Sequence, residues 1–243
     1  MAESRTVALC TTCIVDQIMP EVGVAAVKVL RRAGVRVDFP AGQTCCGQPF
    51  FNSGHLSEAR ASAKHTIAVF ESAEAVVLPG GSCATMIRKE YPHLFEDDPA
   101  WKARAEALAH KTYELTEFLS EVVDWQPAAK GAKVAPVTYH DSCHMTRMLN
   151  IRHAPRAVLQ RAGVAVVEMP ESDRCCGFGG LFCIKMPEVS NAMTRQKLTL
   201  AVKSGAKTVV VSDPGCLMQM RGFGHETELR LRHTAEVLEE ATR

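Results

Sequence analysis

Eight of the ten cysteines fall into one pattern written twice. Cys13 is followed by Cys45-Cys46-Gly47 and then by Cys83. Cys143 is followed by Cys175-Cys176-Gly177 and then by Cys216. The step from the lone cysteine to the pair is 32 residues in both copies, and the last step is 37 residues in one and 40 in the other. Buried structural cysteines have no reason to keep such a register twice, whereas ligands do. Four thiolates per copy suit an iron–sulfur cluster or a tetrahedral soft metal. Neighbouring side chains on an extended chain point apart, so a cage around a single zinc rarely uses both members of an adjacent pair. A loop can instead present them to two iron atoms of a larger cluster, which favours a cluster over zinc.

Other residues near the two motifs carry weaker signals. Cys10 lies one turn from Cys13 and reads as a small core residue before it reads as an alternate ligand. Cys183 has no partner in the first copy and reads as a packed thiol. His140 and His144 flank Cys143; a histidine can replace cysteine at iron, but a hydrogen bond near the site or an exposed loop position is the favoured reading. Asp141, Arg147, Lys185 and Asp213 add polar groups to the second motif. Gly177-Phe178-Gly179-Gly180 lacks dinucleotide-fingerprint spacing, and its glycines suit close passage of the backbone to a cluster whose sulfurs accept amide hydrogen bonds. Met218 and Met220 read as packing. No Ser–His–Asp or paired-carboxylate arrangement stands out.

The elements that position these residues repeat as well. Arg32-Ala33-Gly34-Val35 recurs as Arg161-Ala162-Gly163-Val164, and Pro40 and Pro170 each lie five residues before their cysteine pair. The spacing predicts a strand over Thr6–Leu9, an amphipathic helix from Ile18 to Ala33, strands over Val35–Phe39 and Ala75–Leu78, and a helix within Ser57–Glu71. In the second half it predicts strands over Val134–Tyr139, Val164–Met169 and Thr208–Val211 and a helix from Val189 to Val202. Pro136 suggests an edge position for the first of these strands. Between the halves, Trp101, Ala105, Leu108, Leu115, Leu119 and Val122 form one long helical stripe. Gln126–Gly131 reads as a linker, giving domains 1–130 and 131–243. In strand–helix–strand units the strands run parallel and their C-terminal ends share one edge of the sheet. A 16-residue helix travels roughly 24 Å one way and a six-residue strand roughly 20 Å back, which returns each pair to the height of its lone cysteine. The expected fold is α/β, with two pseudo-symmetric Rossmann-like halves. Each is a small parallel sheet flanked by helices, with its cysteines at the C-terminal strand edge.

Composition bounds the setting. The chain has 243 residues, 47% of them hydrophobic, and a formal net charge of +1, so a nucleic-acid footprint is not suggested. No apolar run reaches the roughly 18 residues of a membrane span, and the start lacks a secretory pattern. A cytoplasmic setting is expected, where thiols stay reduced and cysteines serve as ligands or redox groups.

At Cys10–Gln17, Gln43–Pro49 and Cys175–Gly180 the chain resembles the CCG cysteine-rich family. That family includes the B subunit of heterodisulfide reductase and the iron–sulfur subunits of glycolate oxidase and anaerobic glycerol-3-phosphate dehydrogenase. It is most similar to the lactate-utilisation protein A group. The resemblance covers nearly the whole chain. It implies [4Fe–4S]-type clusters on Cys13, Cys45, Cys46 and Cys83 and on Cys143, Cys175, Cys176 and Cys216, with zinc in one half as an alternative. It further implies an iron–sulfur electron-transfer role in a multi-subunit system oxidising L-lactate to pyruvate, beside a ferredoxin-like iron–sulfur subunit and a third lactate-utilisation subunit. A heterodisulfide-reductase-like thiol/disulfide enzyme and a zinc-stabilised interaction module are the alternatives. One departure stands out: where heterodisulfide reductase B ends each repeat with Cys-x-x-Cys, Gly80 and Asp213 replace the first cysteine. That removes a fifth ligand per half and favours an ordinary four-thiolate cluster.

Overall fold

A computed structural model of the chain describes residues 5–127 and 134–243. Among these residues, seven strands form two all-parallel sheets. In the first, β1 (Thr6–Leu9), β2 (Arg36–Asp38), β3 (Val76–Leu78) and β4 (Thr112–Glu114) take the order β2-β1-β3-β4. In the second, β5 (Val137–His140), β6 (Thr208–Val211) and β7 (Arg230–His233) take the order β5-β6-β7. The expected α/β architecture, with two small parallel sheets flanked by helices, is observed. The domain boundary expected near 130 lies outside the described residues.

The crossover helices form for ordinary reasons. Pro20–Arg32 starts with proline in its first turn, where no N–H is needed, and buries Val22, Ala25, Ala26, Val29 and Leu30 on one face. It packs against the C-terminal helix Thr234–Ala241, and Arg32 Nη1 donates to the Glu239 carbonyl at 2.7 Å. The two halves therefore share a core: Val7, Leu9 and Val77 pack in one cluster with Tyr139, Val210 and Leu238. Two further clusters also cross between the halves. Met145 and Ile151 join Ile67, Phe70 and Tyr91, while Val15 and Val22 join Leu198, Val211 and Leu217.

Two expectations need correction. The stripe from Trp101 to Val122 is not one helix: Pro99–His110 ends, β4 intervenes, and a new helix starts at Leu115. Leu108 and Leu115 are seven residues apart, so a three-residue strand between them leaves the helical period intact. Val164–Met169 is not a full strand. Val137 N donates to the Ala165 carbonyl at 2.9 Å and Val167 N to the Val137 carbonyl at 2.8 Å, but only Val166 bridges to β5. Pro170 has no N–H with which to extend the ladder. The segment still occupies beside β5 the place β2 holds beside β1. Finally, a strand that the sequence does not predict follows Thr208–Val211: β7 pairs with it in register from Thr208↔Arg230 to Val211↔His233. Arg230-Leu-Arg-His carries little apolar signal.

The two unforeseen strands end alike. Glu114 caps the helix from Leu115, and its Oε2 accepts from Thr116 N at 2.7 Å, while Glu117 Oε2 accepts from Glu114 N at 3.2 Å. His233 caps Thr234–Ala241: its Nδ1 accepts from Ala235 N at 3.1 Å, and Glu236 Oε2 accepts from His233 N at 2.7 Å. Each is a capping box. Burial pushes the Glu114 carboxyl up to about 8 and His233 down to about 4.

Candidate metal centres facing one cavity

Every repeated cysteine follows the C-terminal end of a strand or of the Val166 bridge segment. Cys13 opens the helix Cys13–Ile18, which Thr12 caps through Oγ1 from a left-handed φ of 65°. Cys83 lies in the first turn of the helix from Gly81, and Cys216 in the first turn of Pro214–Gly222. The pairs Cys45-Cys46 and Cys175-Cys176 lie on loops.

Within each set the thiols interact in sequence. Cys45 bonds to Cys13 on one side and to Cys46 on the other, and Cys46 Sγ lies 3.4 Å from Cys83 Sγ. Cys175 bonds likewise to Cys143 and Cys176, and Cys176 to Cys216. Both members of each adjacent pair thus face the same site, as the loop allows. Hydrogen bonds from Cys13 and Cys46 pull Cys45 down to about 3, and those from Cys143 and Cys176 pull Cys175 down to about 2. The same bonds, with burial, push Cys13, Cys143, Cys46 and Cys176 up. A single thiolate held among thiols in this way is a donor set ready to lose protons to a soft cation.

The backbone serves the sulfurs as well. Gly177 N donates to Cys175 Sγ and Phe178 N to Cys176 Sγ, both at 3.4 Å. Gly177 has φ +93°, and a Cβ there would lie 2.5 Å from the Ser190 carbonyl oxygen. Only glycine lets this turn press onto the helix Pro187–Lys203.

All eight repeated cysteines line one cavity of about 180 Å³ between the halves. The loops around it interlock. Ser82 N donates to Asp213 Oδ2 at 2.7 Å, while Asp213 Oδ1 accepts from Gly215 N at 3.1 Å and caps the Cys216 helix. Gln48 Nε2 and His144 Nε2 lie 3.3 Å apart across the cavity. A Cβ on Gly80 would come within 3.1 Å of Pro214 Cδ. The two positions where the first cysteine of Cys-x-x-Cys is missing are therefore seam positions. The first set also borders an outer cleft of about 330 Å³ beside Gln43 and Phe39.

The remaining candidates separate. Cys10 is buried in the core, and burial pushes its thiol up to about 12. Cys183 donates to the Gly180 carbonyl at 3.0 Å. His144 stays beside its cysteine, with Nδ1 3.8 Å from Cys143 Sγ. Asp141 holds Arg156 through two bonds of 2.8 and 2.9 Å and accepts from Ser172 Oγ, so it braces the fold behind the site. Arg147 reaches the Asp173 carbonyl, and Lys185 is exposed.

His140 departs from expectation: it is neither exposed nor hydrogen-bonded. It is 1% exposed and neither ring nitrogen has a partner among the described residues; the Ser172 backbone near the ring does not reach hydrogen-bonding geometry. Its ring and the sulfurs of Cys176 and Cys216 present ligand atoms within 4.8 Å of one another. Burial, then Lys197, pushes it down to about 3. Lys197 went unnoticed in the sequence. It is fully buried, donates to the Ser172 carbonyl at 2.7 Å, and burial pushes it down to about 8. Its only sequence signal is helical spacing from the buried Ser190 and Thr194.

The cysteine-rich CCG domain profile matches this chain twice, at residues 7–88 and 137–221. Lactate utilization protein A of Bacillus cytotoxicus is 45% identical over 235 residues, covering 96% of this chain and 98% of its own. The protein of that name from an Exiguobacterium species is 46% identical over 243 residues, covering 98% of both. That from Bacillus velezensis is 45% identical over 236 residues, covering 96% and 98%. The chain belongs to the lactate utilization protein A family, with its cysteine-rich CCG domain in two copies.

Proposed function

We propose that this chain is a cytoplasmic iron–sulfur redox subunit of a multi-subunit system that oxidises L-lactate to pyruvate. The observation that carries the reading is the opening of two sets of four cysteines, each linked thiol to thiol in sequence, onto one cavity. Cys13, Cys45, Cys46 and Cys83 would hold one [4Fe–4S]-type cluster, and Cys143, Cys175, Cys176 and Cys216 a second. Bound there, such clusters supply one-electron steps, into which the two-electron, two-proton oxidation of a hydroxy acid divides.

The chain's own residues hold that arrangement. The amides of Gly177 and Phe178 point at sulfur and favour its anionic form. The Asp213–Ser82 bond fixes the two sets relative to each other across the seam. Asp213 and Gly80 count against a heterodisulfide-reductase-like reading, because both are committed to loop contacts and offer no thiol.

Two repeats, 1–130 and 131–243, form the units of this proposal. A ferredoxin-like iron–sulfur subunit and a third lactate-utilisation subunit are the companions it requires. The test is lactate-dependent reduction of the anaerobically purified chain, followed by optical bleaching and electron paramagnetic resonance, with and without those companions. Reduction that appears only with the companions present is expected. A loaded chain that lactate leaves oxidised in the complete system contradicts the reading.

A further inference from the structure

The four cysteines of each set are equivalent between the halves, but the residue three places before the first of them is not. Cys10 precedes Cys13, and His140 precedes Cys143. Both follow or end the first strand of their half and both are buried. An imidazole sealed from water with both nitrogens unpartnered is costly unless something absent from the protein bonds it. Here the ring faces sulfur: its ligand atom and those of Cys176 and Cys216 lie within 4.8 Å of one another, the one such group among the described residues. The charge of Cys175 also acts on the ring. Cys10 forms no comparable group with Cys46 and Cys83.

We propose that His140 is a nitrogen ligand to the group held by the second cysteine set, so that the two repeats bind through different donor sets, one of thiolates alone and one of thiolates with an imidazole. Metal-ligating histidines direct their second ring nitrogen to a carbonyl or carboxylate, and the Ser172 backbone is the group of that kind near this ring, short of hydrogen-bonding geometry. The carbonyl it offers is held by Asp141 N at 2.9 Å and Lys197 Nζ at 2.7 Å. Lys197 thus positions the group that would orient the ligand.

The inference rests on the reading that the second set holds a metal-containing group, and its test reads the donor set without needing iron. The full chain, labelled with 15N-histidine and stripped of metal under anaerobic reducing conditions, is loaded with 113Cd(II), a soft ion suited to thiolates. Two cadmium resonances are expected, one of them split by a directly bonded nitrogen. The splitting should vanish in His140→Cys and His140→Phe and persist in His144→Gln. An unsplit pair of resonances in the wild-type chain overturns the proposal. So does splitting that survives in His140→Cys, or a second set that takes no cadmium. Iron and sulfide content, measured on a separate untreated preparation, reports on the cluster reading independently.

Discussion

The two halves hold the same order of thiols in different surroundings. Around the first set stand Cys10, Ala59, Ala63 and the buried Tyr91, whose hydroxyl donates to the Cys46 carbonyl at 2.8 Å. Around the second stand His140 and Lys197, with Ser190, Thr194 and Gln219 linked by bonds of 2.9 to 3.1 Å. Thr194 Oγ1 and Ser190 Oγ donate to the Cys176 and Gly177 carbonyls, both at 2.8 Å. The cysteine positions have kept their register through the repeat, while the residues behind them have not. Since hydrogen bonding and nearby charge tune a cluster or metal site as much as its ligands do, two matching sets need not have matching properties.

The largest expected effects break one half and spare the other. Cys46→Ser and Cys176→Ser each remove the buried sulfur that joins its pair to the last cysteine. Each should lower iron and sulfide in the anaerobically purified protein by about half, the share of one four-iron cluster of two. Loss of all iron from either variant would show that the sets bind a single shared group.

Next come the two equivalent caps, which predict opposite pH dependences. Glu114 is raised to about 8 in the folded chain, so its protonated state favours folding and stability falls as pH climbs from about 4.5 to 8. His233 is lowered to about 4, so the unfolded chain binds more protons and stability falls as pH drops from about 6.5 to 4. The shifts correspond to about 5 kcal/mol for Glu114 and about 3 kcal/mol for His233. Urea titrations across pH should show Glu114→Gln flattening the fall between about pH 4.5 and 8 and His233→Asn the fall between about pH 6.5 and 4.

Glycine substitutions sharpen the comparison further. Both Gly47 and Gly177 have positive φ. A Cβ on Gly47 would meet Ser62 Cβ at 2.9 Å, whereas one on Gly177 meets a backbone oxygen at 2.5 Å that cannot swing aside. Gly177→Ala should cost about 3 kcal/mol and Gly47→Ala about 2, measured by chemical denaturation of the metal-free chain. The smallest pair lies at the seam. Asp213→Ala removes a helix cap and leaves Ser82 N without its acceptor, a loss of about 2 kcal/mol. Gly80→Ala need only displace Pro214 slightly and should cost about 1 kcal/mol or less.

Most of the site was legible because thiol spacing and strand order are local signals: strand, loop, cysteine, helix, repeated. The shared edge of each sheet followed from parallel topology alone. What stayed hidden depends on contacts between distant segments. β4 and β7 are short strands whose residues carry no alternating apolar pattern, and the sheet recruits them through backbone pairing. Lys197 and Asp213 look like surface residues until the helices close over them. His140 is marked in the sequence by its place beside Cys143, but spacing alone could not tell a buried ring at sulfur from an exposed loop side chain. The shared cavity could not be read either, because it exists only where Gly80, Gly81, Met145 and Pro214 bring the two halves together.

The claim that each repeat gathers four thiolates into an iron–sulfur site is tested most directly by iron and acid-labile sulfide per chain after anaerobic purification. A brown protein with about four iron and four sulfide per half is the predicted result. A colourless chain that carries only zinc after anaerobic reconstitution with iron and sulfide would contradict it.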